Sequence, residues 1–127
     1  MEFTPLGFDH IVLQVRDQAV AQKFYTEVLG CTVERVNTKL SLIHLRFGSQ
    51  QIDLVPGEGA GQASPRQGVQ HFCLSIRCDD LVALAAALRA KGVKIEDEVM
   101  PRFGAYGTGP SFYLRDPDGY KVELKAR

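Results

Sequence analysis

Gly7-Phe8-Asp9-His10-Ile11-Val12-Leu13-Gln14-Val15-Arg16 returns further along the chain as Gly68-Val69-Gln70-His71-Phe72-Cys73-Leu74-Ser75-Ile76-Arg77. The repeat places a histidine at one structural address in two halves. Each half also closes alike: Leu45-Arg46, a turn and Ile52-Asp53-Leu54 in the first, Leu114-Arg115, a turn and Val122-Glu123-Leu124 in the second. Two histidines and two carboxylates therefore occupy matched positions.

Around the first copy, Ile11, Leu13 and Val15 alternate with His10, Val12 and Gln14, the period of a half-buried strand. Asp17 can cap a helix in which Val20, Phe24 and Val28 recur every four residues, and Gly30 can end it with a left-handed residue. Strands are expected at 32–36, 40–47 and 51–55, the last two joined by Gly48-Ser49-Gln50. The first module, 8–55, thus reads βαβββ. The second, 68–125, repeats the order: a strand at 71–76, a helix opened by Asp79 or Asp80 with Leu81, Leu84, Ala85 and Leu88 on one face, a stop at Gly92, and strands at 94–98, 111–114 and 121–124. Asp116-Pro117-Asp118-Gly119 signals the final hairpin, because proline fixes φ and glycine tolerates the positive φ of a reversal. The Gly/Pro/Ser-rich stretch 56–67 reads as a linker, and 101–110, with Gly104, Gly107 and Gly109, as a second irregular stretch.

Neither module has enough elements to cover both faces of its small sheet, so the modules should pair with each other or with those of a second chain. Helices would cover the outer faces and leave a concave inner one. Alternation directs His10, His44, Asp53, His71 and Glu123 to that inner face, with Ser111, Tyr113 and Lys121 beside them.

At 127 residues and 45% hydrophobic, the chain can bury one compact core. Lys plus Arg and Asp plus Glu number 15 each, so no charge excess draws it to nucleic acid or anionic lipid. Neither is expected as a partner; a small-molecule substrate is. Three cysteines, Cys31, Cys73 and Cys78, with no Cys-x-x-Cys spacing argue against a disulfide framework and for a reducing cytoplasm. No apolar run approaches the roughly 20 residues of a membrane span, and 1–5 lacks a basic segment leading into an apolar one. A cytoplasmic homodimer is the expectation, because small modules tend to cover remaining sheet edges with a second copy.

Imidazole nitrogens with one or two carboxylate oxygens suit a divalent metal ion such as Zn, Ni, Mn or Fe, and two histidines with one carboxylate leave positions for water or substrate. His10, His71 and Glu123 are the first candidates as ligands; Asp53, a methylene shorter, is a fourth candidate that could instead stand behind them. His44 and Tyr113 are candidate catalytic residues, a general base or a hydrogen-bond donor to a metal-bound oxygen. Arg46 and Arg115 match in the repeat, which suits a structural pairing role. The glycines at 104–109 lack the strand before and helix after that a phosphate loop requires. Dinucleotide binding is excluded on that ground, and a mobile flap over the inner face is expected instead.

Asp9-His10-Ile11, the helix end Phe24-Tyr25-Thr26-Glu27-Val28-Leu29-Gly30, Gln70-His71-Phe72 and the closing run Phe112-Tyr113-Leu114-Arg115-Asp116-Pro117-Asp118-Gly119-Tyr120-Lys121-Val122-Glu123-Leu124 resemble the vicinal oxygen chelate superfamily. That group includes glyoxalase I, fosfomycin and bleomycin resistance proteins, methylmalonyl-CoA epimerase and extradiol dioxygenases. The resemblance implies an α+β fold of two βαβββ modules, within one domain spanning 1–127, paired into an incompletely closed, glyoxalase-like barrel. It maps the family's metal ligands onto His10, His71 and Glu123. Glyoxalase I has a fourth ligand, a glutamate, where this chain offers Asp53. The implied function is a metal-dependent lyase or isomerase acting on a small oxygen-rich substrate that chelates the ion. The same resemblance admits an epoxide-opening transferase, a ring-cleaving dioxygenase or an antibiotic-binding module without catalysis.

Overall fold

A computed structural model describes residues 4–57 and 68–127. The chain divides into two compact units, Met1–Ala60 and Gly61–Arg127. Each builds one open four-stranded sheet and one helix, so the fold is α+β.

The first unit runs β1 (His10–Val15), α1 (Gln18–Glu27), β2 (Thr32–Asn37), β3 (Leu42–Phe47) and β4 (Gln50–Pro56), with strand order β1-β4-β3-β2. β1 lies parallel to β4, and the other pairs are antiparallel. The Asp17 carboxylate caps α1, accepting from the amides of Ala19 at 2.9 Å and Val20 at 3.1 Å, and Gly30 ends it at φ +76°. One expectation shifts by a residue: α1 buries Ala21 and Tyr25, while Phe24 and Val28 are half-buried and Val20 is exposed. Residues 21, 24, 25 and 28 form a single i, i+3, i+4, i+7 stripe, broader than the i, i+4 row read from the apolar letters, and Val20 lies outside it. That stripe packs on β3 and β4, where Leu45, Ile52 and Leu54 are buried with Leu13 and Val15 of β1. β3 starts later than expected, because Ser41 adopts φ +51° in the preceding turn.

The second unit repeats the plan as β5 (Phe72–Ile76), α2 (Leu81–Ala90), β6 (Lys94–Gly104), β7 (Gly107–Arg115) and β8 (Lys121–Ala126), ordered β5-β8-β7-β6. Asp80, rather than Asp79, caps α2 through the Ala83 amide at 3.0 Å. Leu81, Ala85 and Leu88 are buried and Leu84 half-buried; α2 packs on β6 and β7. Phe112, Leu114, Val122 and Leu124 complete this core. The closing turn is built as its sequence requires: the Asp116 carboxylate accepts from the amides of Asp118 at 2.9 Å and Tyr120 at 2.8 Å, and Gly119 supplies φ +89°.

The stretch 101–110 is not an irregular flap. It is a hairpin in which Pro101 faces Pro110, Arg102 faces Gly109, Phe103 faces Thr108 and Gly104 faces Gly107. β6 is an edge strand, where a missing N–H is tolerated, and Pro110 lies just past the β7–β8 ladder, whose first pair is Ser111 with Lys125. The glycines that suggested looseness serve the turn and close packing instead. Of the expected linker, Pro56 belongs to β4, and 58–67 lie outside the described residues.

Candidate functional site

In each unit the helix covers one face of the sheet, and strand alternation sends the polar residues to the other. On β1, β4 and β3 of the first unit, Val12 pairs with Asp53 and His44 pairs with Asp53, which puts His10, Asp53 and His44 on one face. On β8 and its neighbours in the second unit, Cys73, Glu123, Tyr113 and Glu96 stand in one row. His10 opens β1, whereas His71 stands one residue ahead of β5.

The first unit brings together three of the expected residues. Asp53 is buried at 3% exposure; its Oδ1 lies 2.9 Å from His44 Nδ1 and its Oδ2 3.9 Å from His10 Nε2. On its other edge His10 Nδ1 meets Asp9 Oδ1 at 2.6 Å. A carboxylate only accepts, so Nδ1 of His10 carries a proton, and in the neutral ring Nε2 is the lone-pair nitrogen. The hydrogen bond that His10 donates to Asp9, followed by the charges of Asp53 and Asp9, raises the His10 pKa against an opposing effect of burial. The same logic applies to His44: with Nδ1 held by Asp53, its Nε2 is the nitrogen available as a base.

The second unit repeats the motif with different side chains. His71 Nδ1 is bonded to Gln70 Oε1, and its Nε2 stands 3.2 Å from Glu123 Oε1, a carboxylate at 6% exposure. The Tyr113 ring meets His71 edge-on, with centroids 5.4 Å apart and planes at 82°. Arg102 and Lys121 both lie over that ring, at 4.6 and 4.2 Å from its centroid.

Two lone-pair atoms facing each other, imidazole Nε2 and carboxylate oxygen, repel unless a proton or a cation lies between them. Each unit presents one such pair, and in each the far nitrogen is fixed by an acceptor on the preceding residue. This is the arrangement that orients a metal-ligating imidazole. The donor sets therefore fit a divalent cation, although among the described residues no three His, Cys, Asp or Glu side chains come together as a ready cluster.

Asp9 and Gln70 stand in the quoted motifs, but sequence alone assigned no role to either. Their signal was present in the repeat, as an acceptor immediately before each histidine. Arg46 and Arg115 do have matched structural roles. Arg46 reaches Glu34 at 3.5 Å and donates to the Ser49 carbonyl at 3.2 Å, while Arg115 donates to Glu96 at 2.9 Å and to the Gly119 carbonyl at 2.9 Å. Each ties a strand neighbour to its own hairpin turn. The cysteines are free thiols; burial pushes Cys31 and Cys73 up to about 11, with Glu123 adding to the rise at Cys73, so neither is a thiolate nucleophile at neutral pH.

A duplicated βαβββ chain with paired imidazole and carboxylate donors defines the glyoxalase class of fold. The chain belongs to the Glyoxalase/Bleomycin resistance protein/Dioxygenase superfamily, whose model matches residues 7–124. It is 34% identical over 121 residues to the virulence protein STM3117 of Salmonella typhimurium, covering 91% of this chain and 81% of that one. It is 30% identical over 123 residues to a lactoylglutathione lyase of Haemophilus influenzae, covering 91% and 88%. The crystal structure of STM3117 superposes with a TM-score of 0.78 at 28% identity over 98% of both chains. That of the fosfomycin resistance protein FosX from Listeria monocytogenes superposes with a TM-score of 0.72 at 20% identity, over 98% of this chain and 95% of that one, a likeness of fold alone. No helix among the described residues is long and apolar enough to cross a membrane.

Proposed function

We propose that the chain is a metal-dependent glyoxalase-type enzyme, a lyase or isomerase whose small substrate chelates a divalent ion through neighbouring oxygens. The observation that supports this most is the pairing of His71 Nε2 with the buried Glu123 carboxylate, matched by His10 with Asp53. The repeat and the family resemblance support His10, His71 and Glu123 as its ligands. Asp53 offers Oδ2 as a further donor while its Oδ1 orients His44. Zn, Ni, Mn and Fe all suit such nitrogen and oxygen donors, and the bound ion would polarise a substrate carbonyl or acidify water.

The chain's own residues then move the proton. His44, with Nδ1 fixed by Asp53, accepts a proton at Nε2 from the carbon next to the carbonyl and returns it to the adjacent carbon, as an isomerase requires. The Tyr113 ring, held between His71 and two cations, presents its hydroxyl as a hydrogen-bond donor to substrate. The free thiols agree with a reducing cytoplasm, and the two open edges of each sheet with a homodimer, which light scattering tests.

Elemental analysis of the purified protein, of His10→Ala and of His71→Ala tests the ligand assignment, followed by assay with methylglyoxal hemithioacetal. Both variants should lose most bound metal. Wild-type metal content in both would end the ligand assignment, and a wild type without bound metal would leave a binding module.

A further inference from the structure

The ladder that holds His44 against Asp53 ends early. Towards the start of β3 its last pair is Ile43 with Leu54, and Ser41 turns the chain there at φ +51°. Gln18, the half-buried first residue of α1, closes that end with its side chain. Its Nε2 donates to the Ser41 carbonyl at 2.7 Å and to the Leu54 carbonyl at 2.9 Å. Both N–H groups of the amide are thereby engaged, and the opposite orientation would set Oε1 against two carbonyl oxygens. Ser41 stands three residues ahead of His44, and Leu54 directly follows Asp53, so one amide ties together the two strands that carry the pair. The clamp is itself held: the Asp17 carboxylate caps the helix immediately before it, and α1 packs on β3 and β4.

The second copy is built differently at this place. Leu81 holds the matched position after the Asp80 cap and is buried, and the ladder continues past the matched pair, Phe112 with Leu124, to Ser111 with Lys125. Tyr113 there occupies the place of His44. The Gln18 amide thus stands where the first ladder lacks a further rung, in the copy that carries the imidazole. We propose that Gln18 is a positioning residue: by fixing the ends of β3 and β4 to the helix, it keeps Asp53 Oδ1 in line with His44 Nδ1 and leaves Nε2 as the free base. A hydrogen bond weakens steeply as its angle closes, and the tautomer of an imidazole follows the bond that its other nitrogen makes. Slippage of either strand end therefore acts on Nε2. The effect on turnover rests on His44 being the base of the proposed reaction, whereas the alignment rests on Gln18, Ser41 and Leu54 alone.

Gln18→Met keeps the length of the side chain and removes both donors, and Gln18→Asn, shorter by one methylene, does not span to both carbonyls. Imidazole ¹⁵N spectra of chelator-treated protein at a pH of about 8 read the His44 tautomer without metal or turnover. Wild type should carry its proton on Nδ1. Both Gln18 variants should lose that preference, with the Nε2–H form appearing beside it. Leu81→Met, which alters the matched position of the other unit, should leave the His44 signals unchanged. Wild-type His44 spectra in both Gln18 variants, or an equal change in Leu81→Met, would overturn the clamp. In turnover of methylglyoxal hemithioacetal, Gln18→Met should lower kcat by about tenfold with KM within about twofold of wild type. A changed tautomer with unchanged kcat would remove His44 as the base and leave the clamp standing, whereas a lowered kcat with an unchanged tautomer would overturn the clamp.

Discussion

Replacing Glu123 by glutamine separates the stability of the metal-free protein from its affinity for metal. Glu123 is buried at 6% exposure, with Oε1 3.2 Å from a nitrogen whose partner atom, Nδ1, is already bound to Gln70. At a pH of about 8, where histidine is ordinarily neutral, this contact opposes two acceptors. An amide NH₂ in place of that oxygen donates to Nε2 and removes a buried charge. A net hydrogen bond contributes about 1 kcal/mol, a rise of roughly 4 °C in Tm for a chain of this size. Metal acts in the opposite direction. At a metal concentration of about 100 times Kd, binding stabilises the wild type by about 2.7 kcal/mol, and affinity weakened about a hundredfold leaves about 0.4 kcal/mol. Thermal denaturation of chelator-treated protein, with and without added Zn, Ni or Mn, reads both effects. The variant should melt higher than wild type without metal and respond little to it. A variant that melts lower without metal and keeps the full metal-induced rise would refute the opposed-acceptor argument.

Other expectations follow from single contacts. Phe112→Ala empties a fully buried position and should cost about 3–5 kcal/mol by urea denaturation; a loss below about 1 kcal/mol would mean that the second core collapses around the gap. The Arg115 guanidinium, then the charges around it, holds the Glu96 carboxyl below the usual range against a counteracting effect of burial. Its stabilisation is therefore present above the ordinary glutamate value and is lost as pH falls through the lowered one. Wild type should lose more stability than Glu96→Gln between about pH 6 and pH 3, and parallel acid curves would contradict this. His44→Ala should lower kcat by about 10²-fold or more with metal content unchanged, as loss of a general base does, whereas Asp53→Asn, which misorients the same ring, should give an intermediate loss. Equal kcat in His44→Ala and wild type would remove the base from the mechanism.

The repeat made most of the architecture legible before any coordinate. Period-two alternation with a fixed turn signal determines both strand identity and face, so His10, Asp53 and Glu123 fall on polar faces as expected. Helix caps were equally readable, because Asp17, Asp80, Gly30 and Gly92 act through local backbone chemistry. The hairpin at 101–110 was misread for a reason of the same kind. Glycine and proline are breakers by propensity, but here Gly104 and Gly109 accommodate the Lys125 stem and the prolines fall where no ladder bond is required. Such accommodation depends on a residue some twenty positions away, which local pattern does not encode. Asp9 and Gln70 failed to stand out because an exposed polar residue beside a histidine is commonplace. Only the matched Nδ1 contacts reveal what they do.

Duplication preserved geometry in this chain while allowing the chemistry of the two copies to diverge. The first copy surrounds its imidazoles with acids: Asp9 on one edge of His10, and Asp53 shared between His10 and His44. The second retains one carboxylate for its imidazole and gathers Arg102, Lys121 and Lys125 on the same face. Acids beside an imidazole keep it oriented and basic, which suits proton transfer. On the proposed reading His44 and Asp53 of the first copy serve the proton transfer. That role makes a forecast: changes at His44 and Asp53 should move kcat far more than KM. Equal movement of both parameters would show that these residues serve substrate binding as much as proton transfer.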